Sequence, residues 1–177
     1  APDGVEVIDA WGNILDCNEA QQRLLGYPKE HLTGNLSSDY FSEQSRASWS
    51  VYQSTLKEIG YWEGEVELVT ARGEKVPVWR KGKAIYDKDE TFIGAVVYNR
   101  DIADRKRAEE ALRESELRFR ELFSSMTSVV GVYEAKDDGA DFLFKDINKA
   151  GERLGGVARE EVMGRSAADV FPGIRDM

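Results

Sequence analysis

The stretch ILDCNEAQQRLLGYPKEHLTGNLSSDYF, residues 14–41, returns without a gap as FKDINKAGERLGGVAREEVMGRSAADVF, residues 144–171, at a constant offset of 130. The two share Asp16/Asp146, Asn18/Asn148, Ala20/Ala150, Arg23/Arg153, Leu24/Leu154, Gly26/Gly156, Glu30/Glu160, Gly34/Gly164, Asp39/Asp169 and Phe41/Phe171. A fixed-offset match of this length marks a structural unit used twice. The shared residues also have a physical reading: an asparagine that caps, an Arg-Leu helix, a glycine that ends it, and a second glycine that ends the next turn. Short helices punctuated by glycine do not build a helical bundle.

Outward from this stretch, residues Gly4 to Asp9 alternate and are rich in β-branched side chains, Ala10 to Asn13 supply turn chemistry, and Ile14 to Cys17 resume an apolar run. This predicts a β-hairpin. Between Ser42 and Ile59 the residues Trp49, Tyr52 and Leu56 recur at helical spacing and Gly60 gives a stop, predicting one long helix. Beyond it Trp62, Gly64, Val66 and Leu68 alternate with Glu63, Glu65 and Glu67, a half-buried strand with an acidic outer face. Strands over roughly Lys75 to Tyr86 and Thr91 to Arg100 follow, separated by the polar turn Asp87 to Glu90.

Asp101 stands where strand pattern gives way to helix pattern, placed to accept from free first-turn amides. In the helix that follows, Ala108, Leu112, Ser115, Phe119, Leu122 and Met126 recur at alternating steps of four and three, the spacing of a coiled-coil seam. The second copy ends soon after its short helices, so the chain reads as a piece of a longer protein. Its expected parts are a domain over 1–103, a linker helix over 104–126, and the N-terminal half of a second domain over 127–177. That half is expected to pack on the linker or another chain, or to be poorly ordered.

The bulk properties narrow the partners. With 41% hydrophobic residues the chain can form a packed core. Acidic residues outnumber basic ones by 33 to 24, a net charge of −9, which repels phosphate backbones and anionic headgroups, so nucleic acid and membrane surface are not expected partners. No run approaches the ~20 apolar residues of a membrane span, and the N-terminus carries no secretory pattern. One cysteine, Cys17, and one histidine, His31, give neither a disulfide nor a metal cluster; a reducing cytoplasm fits best.

Several short motifs, in this order, resemble the PAS sensor superfamily: Asp3-Gly4-Val5, Asn18-Glu19-Ala20, Leu24-Leu25-Gly26-Tyr27, Leu32-Thr33-Gly34, Gly94, and Asp101-Ile102-Ala103-Asp104-Arg105-Lys106. The resemblance covers residues 1 to about 106 and, more weakly, 127 to 177. It implies an α+β fold: a five-stranded antiparallel sheet in the order 2-1-5-4-3, with short helices over one face enclosing a pocket. It also implies a role in signal transduction, most naturally within a sensor histidine kinase whose output kinase domains lie outside these residues. Asp101 to Lys106 matches the motif joining the last strand to the output helix, with Ala103 in place of the usual threonine. A signal relay through Asp101 and Arg105 stands beside the plainer reading of a helix cap with a solvated ion pair.

For a ligand, the family's haem binders use a histidine on the long helix, whereas His31 lies before it. Its photoreactive flavin domains carry their cysteine just before that helix, whereas Cys17 ends the second strand. Both cofactors are argued against, and Cys17 reads as a small buried residue. A small organic ligand between helix and sheet would meet Trp49, Tyr52, Trp62 and Tyr98, although ordinary core packing accounts for the same residues. Strand alternation puts Arg80 on the face of Val78 and Gly82, at the pocket. A ligand carboxylate would answer a buried guanidinium there; Glu63 or another internal acid, or a bulge turning Arg80 to solvent, would answer it equally. Two functions follow: a sensor passing a stimulus to the seam of Ala108, Leu112, Phe119 and Leu122 in a homodimer, or a ligand-free structural dimerisation module. A small hydrolase finds no nucleophile elbow, second histidine or metal spacing, so no catalytic residue is expected.

Overall fold

The computed structural model describes residues 3–136 and 141–170. Contacts divide the chain into two compact units, residues 1–108 and 109–177.

In the first unit β1 (Gly4–Asp9) and β2 (Ile14–Cys17) form the predicted hairpin. Next come α1 (Glu19–Leu25), α2 (Lys29–Leu32) and a 3-10 turn (Ser37–Tyr40), then α3 (Glu43–Arg46) and α4 (Trp49–Ile59). β3 (Tyr61–Val69), β4 (Lys75–Tyr86) and β5 (Phe92–Asp101) complete an antiparallel sheet of order β2-β1-β5-β4-β3. Alternation along these strands sends Ile8, Val66, Leu68, Val78, Ala95 and Val97 to one face, where they pack with Leu25, Leu32, Tyr52 and Leu56 of the helices. At the β1–β5 pairing Gly94 lies opposite Asp9, and a Cβ there would sit 2.1 Å from the carbonyl oxygen of Ile8; only glycine lets the strands meet.

The single helix expected from Ser42 to Ile59 is two helices. Ser42 Oγ accepts from the Ser45 amide, and the Arg46 guanidinium donates to the carbonyls of Ser38 and Asp39. These bonds tie the first turn to the 3-10 turn, and the chain leaves helical geometry at Ser48 before α4 begins. Gly60 ends α4 in the left-handed region, its N–H bonded to Leu56, as predicted.

The helix α5 (Ala103–Ser125) starts where Asp101 Oδ1 accepts from the Ala103 amide at 2.8 Å. Ala108, Leu112, Phe119 and Leu122 are all exposed on it, whereas Phe123 is buried. No helix among the described residues is long and apolar enough to cross a membrane.

The second unit holds β6 (Gly131–Lys136) paired antiparallel with β7 (Asp141–Ile147), then α6 (Lys149–Gly155), α7 (Arg159–Val162) and α8 (Ala167–Val170). Phe144, Ile147, Val162 and Ala167 form its small core. Its local ties repeat those of the first unit. Asn18 Oδ1 accepts from the Val5 and Gln21 amides, and Asn148 Oδ1 from the Val130 and Gly151 amides. Both hairpins shift register at the same place, after Val7 and after Val132. The hairpin connection is longer in the second, with 18 residues from Val130 to Asn148 against 13 from Val5 to Asn18.

A buried charged cluster beside an open cleft

Arg80 lies on β4 between Val78 and Gly82, facing inward as the alternation required, and is 0% exposed. Across the sheet its register partner on β5 is Asn99, whose Oδ1 accepts from Arg80 Nη1 at 2.9 Å. Glu6, 1% exposed on the inner face of β1, accepts from Arg80 Nη2 at 2.7 Å. Ser37 of the 3-10 turn accepts from the same nitrogen at 2.7 Å and donates to Glu6 Oε1 at 2.5 Å. Gln21 of α1 closes the network, donating Nε2 to Glu6 Oε2 and accepting from Asn99 Nδ2.

The guanidinium also faces the rings of Phe41 and Tyr52, whose centroids lie 5.1 and 5.2 Å from Cζ. Burial opposes its charge, but Tyr52 and the Glu6 carboxylate outweigh burial and hold the Arg80 pKa above its ordinary value. Burial pushes the Tyr52 phenol up, against the pull of Arg80. Among the described residues, two buried side-chain polar atoms have no hydrogen bond of ordinary geometry: Arg80 Nε and Tyr52 Oη. Gly82 makes room for that hydroxyl, since a Cβ there would come within 2.8 Å of it. A buried ion pair of this kind adds little net stability, but removing one partner strands the other.

Beside the cluster a cleft of about 330 Å³ opens among Phe41, Tyr52, Trp62, Ser48, Glu65 and Lys106. Its charged rim joins the sheet to the first turn of α5. Glu65 of β3 accepts from Arg105 Nη2 at 3.0 Å and from Lys106 Nζ at 2.5 Å. Chiefly through the Lys106 bond, its carboxyl is held below the usual range.

The sequence expectations divide accordingly. Arg80 is internal and charge-paired, but with Glu6; Glu63 lies on the outer face, bonded to Lys81 and to the Trp79 indole. Trp49, Tyr52 and Trp62 come together in one aromatic run, Phe41 to Trp49 at 5.4 Å, Trp49 to Tyr52 at 5.0 Å and Tyr52 to Trp62 at 4.7 Å. Tyr98 does not join them. It is 44% exposed on the opposite face, because Val97 and Asn99 on either side of it take the inward positions. Asp101 caps the helix start, and Arg105 reaches across to Glu65. Cys17 is buried, its thiol pushed up by burial, and His31 stacks on Tyr27 at 4.3 Å. Among the described residues no group of three or more His, Cys, Asp or Glu could hold a metal ion.

Glu6, Gln21, Ser37 and Asn99 were not foreseen. Strand parity signalled two of them, since Glu6 alternates with Gly4 and Ile8, and Asn99 with Val97, both at inward positions. A carboxylate at an inward position calls for a buried cation.

The chain matches the PAS domain family over residues 2–104. Among solved structures it is similar to the PAS domain of a Colwellia psychrerythraea protein, at 26% identity and a TM-score of 0.55, covering 58% of this chain and 87% of that one. It is also similar to a domain of a sensory box sensor histidine kinase/response regulator from Geobacter sulfurreducens, at 22% identity and a TM-score of 0.46, covering 56% and 82%. No curated protein matches it.

Proposed function

The chain belongs to the PAS domain family, and from that premise we propose that its first unit is the sensory input of a signal-transduction protein, passing events in the cleft to α5. One observation carries this reading: Lys106, in the first turn of α5, shares the cleft wall with Tyr52 and Trp62 and holds Glu65. A small organic ligand entering there meets the Glu65–Lys106 pair directly. Its differential contact with paired and unpaired states would shift the start of the helix. Asp101 and Arg105 belong to the same junction, one capping the helix and the other sharing Glu65.

In this reading residues 104–126 are the linker and residues 127–177 begin a second PAS domain. The exposed Ala108, Leu112, Phe119 and Leu122 form the dimer seam, and the parent is a cytoplasmic sensor histidine kinase, as the motif resemblance implies. The fragment itself is non-catalytic. A second reading, a ligand-free dimerisation module, is favoured by the interior: Arg80 is answered by the chain's own Glu6, so the deep pocket is filled.

Native mass spectrometry of the purified chain, with hydrogen exchange of Ala103 to Arg107, separates the two. The sensor reading expects a retained small molecule that Trp62→Ala releases, and several-fold faster first-turn exchange in Glu65→Gln. An empty dimer whose first turn ignores Glu65→Gln would leave the structural module.

A further inference from the structure

The carboxylate, amide and hydroxyl of the buried cluster are not required by the hairpin and short helices that the two units share. Glu6 pairs with Cys17 across the first hairpin, and the matching pair in the second is Gly131 with Ile147. At the offset of 130, Gln21 and Ser37 correspond to Gly151 and Ala167. Carboxylate, amide and hydroxyl are thus all missing from the second repeat, which nevertheless keeps the hairpin, the Asn148 cap and the short helices. The three polar side chains therefore serve something other than this framework.

What they surround has the layout of a receptor. Three donors from separate elements converge on one carboxylate: Arg80 Nη2 and Ser37 Oγ on Oε1, and Gln21 Nε2 on Oε2. The guanidinium grips it through one nitrogen and makes no bond to it through Nε, whereas a free carboxylate would turn to engage both edges of the fork. Single-point contact is what a carboxylate reaching on a short stem from β1 can achieve.

We propose that Arg80, Ser37 and Gln21 form a binding site for a small monocarboxylate, and that its occupant in this chain is the tethered side chain of Glu6. Glu6→Ala deletes a CH2–COO− group, the size of acetate, and leaves the three donors in place. That variant becomes a binder of formate or acetate, while the native chain is closed to them. The proposal is independent of whether the neighbouring cleft senses a ligand.

The test is thermal unfolding of the full chain at neutral pH, in sodium acetate against sodium chloride at equal ionic strength. Native protein, Glu6→Ala, and Glu6→Ala with Arg80→Met are compared. Glu6→Ala should melt below the native chain in chloride and regain part of the loss in acetate, saturably. The native chain and the double variant should melt alike in both salts. If Glu6→Ala does not fold in chloride, its refolding yield in acetate is read instead. Equal behaviour in the two salts, or no folding in either, overturns the proposal and leaves Glu6 a plain structural ion-pair partner. Because the readout is core melting and not exchange in α5, this outcome is distinguishable from failure of the cleft reading.

Discussion

Asn18 and Asn148 hold their hairpins in the same way, accepting the amide of Val5 or Val130 at 3.0 Å in both and the helix amide at 2.8 and 2.9 Å. Ile14 and Phe144 likewise each trade backbone bonds with the glycine turn, through Gly34 and Gly164. Yet behind these identical frames one repeat buries a salt bridge with its amide and hydroxyl attendants, and the other places Gly131, Gly151 and Ala167. Backbone ties and caps specify this local shape; the interior behind it is free to vary. That freedom is how one scaffold can be filled by its own side chains in one copy and differently in the next.

The largest expected effect lies in the charged interior. Arg80→Ala leaves Glu6 buried without its cation and should cost ~3–5 kcal/mol in urea unfolding of the first unit. Amide exchange across residues 141–170 should stay unchanged. A loss below ~1 kcal/mol would make the cluster ornamental and erase the contrast between the repeats.

Next comes the reverse graft. Gly151→Gln writes the first repeat's residue into the second, where a Cβ would meet Ile147 Cγ1 at 2.6 Å. Overpacking of that kind costs ~1–3 kcal/mol and should appear as faster exchange along β7. Unchanged exchange would mean that the two interiors are interchangeable after all.

The smallest effect concerns the shared frame. Asn18→Ala and Asn148→Ala should each cost ~1 kcal/mol and expose the amides of Val5 and Val130 respectively to exchange. Clearly unequal costs would show that the two caps, alike in geometry, are not alike in strength.

The fold was legible because its signals are local. Alternation marked β3 to β5, glycines marked the helix ends, and the repeat located the hairpin that starts each unit. The break between α3 and α4 was not legible, because Arg46 makes it by reaching carbonyls of the 3-10 turn through the folded chain. At the site, parity alone delivered Arg80. It could have excluded Tyr98, which sits between two inward residues, and could have nominated Glu6 and Asn99. That Glu6, not Glu63, answers Arg80 depends on β1 pairing with β5, a non-local match that no short window of sequence contains.

The cluster also constrains how this chain can be made. Glu6 and Arg80 stand 74 residues apart, and Gln21 and Asn99 stand 78 apart. During synthesis the amino-terminal hairpin leaves the ribosome carrying a carboxylate whose cation has not yet been translated, and a lone charge resists burial. The buried partner of Glu6 is therefore supplied only by a strand made much later in the chain, so the charge of the first hairpin is answered by long-range closure and not by its own neighbours.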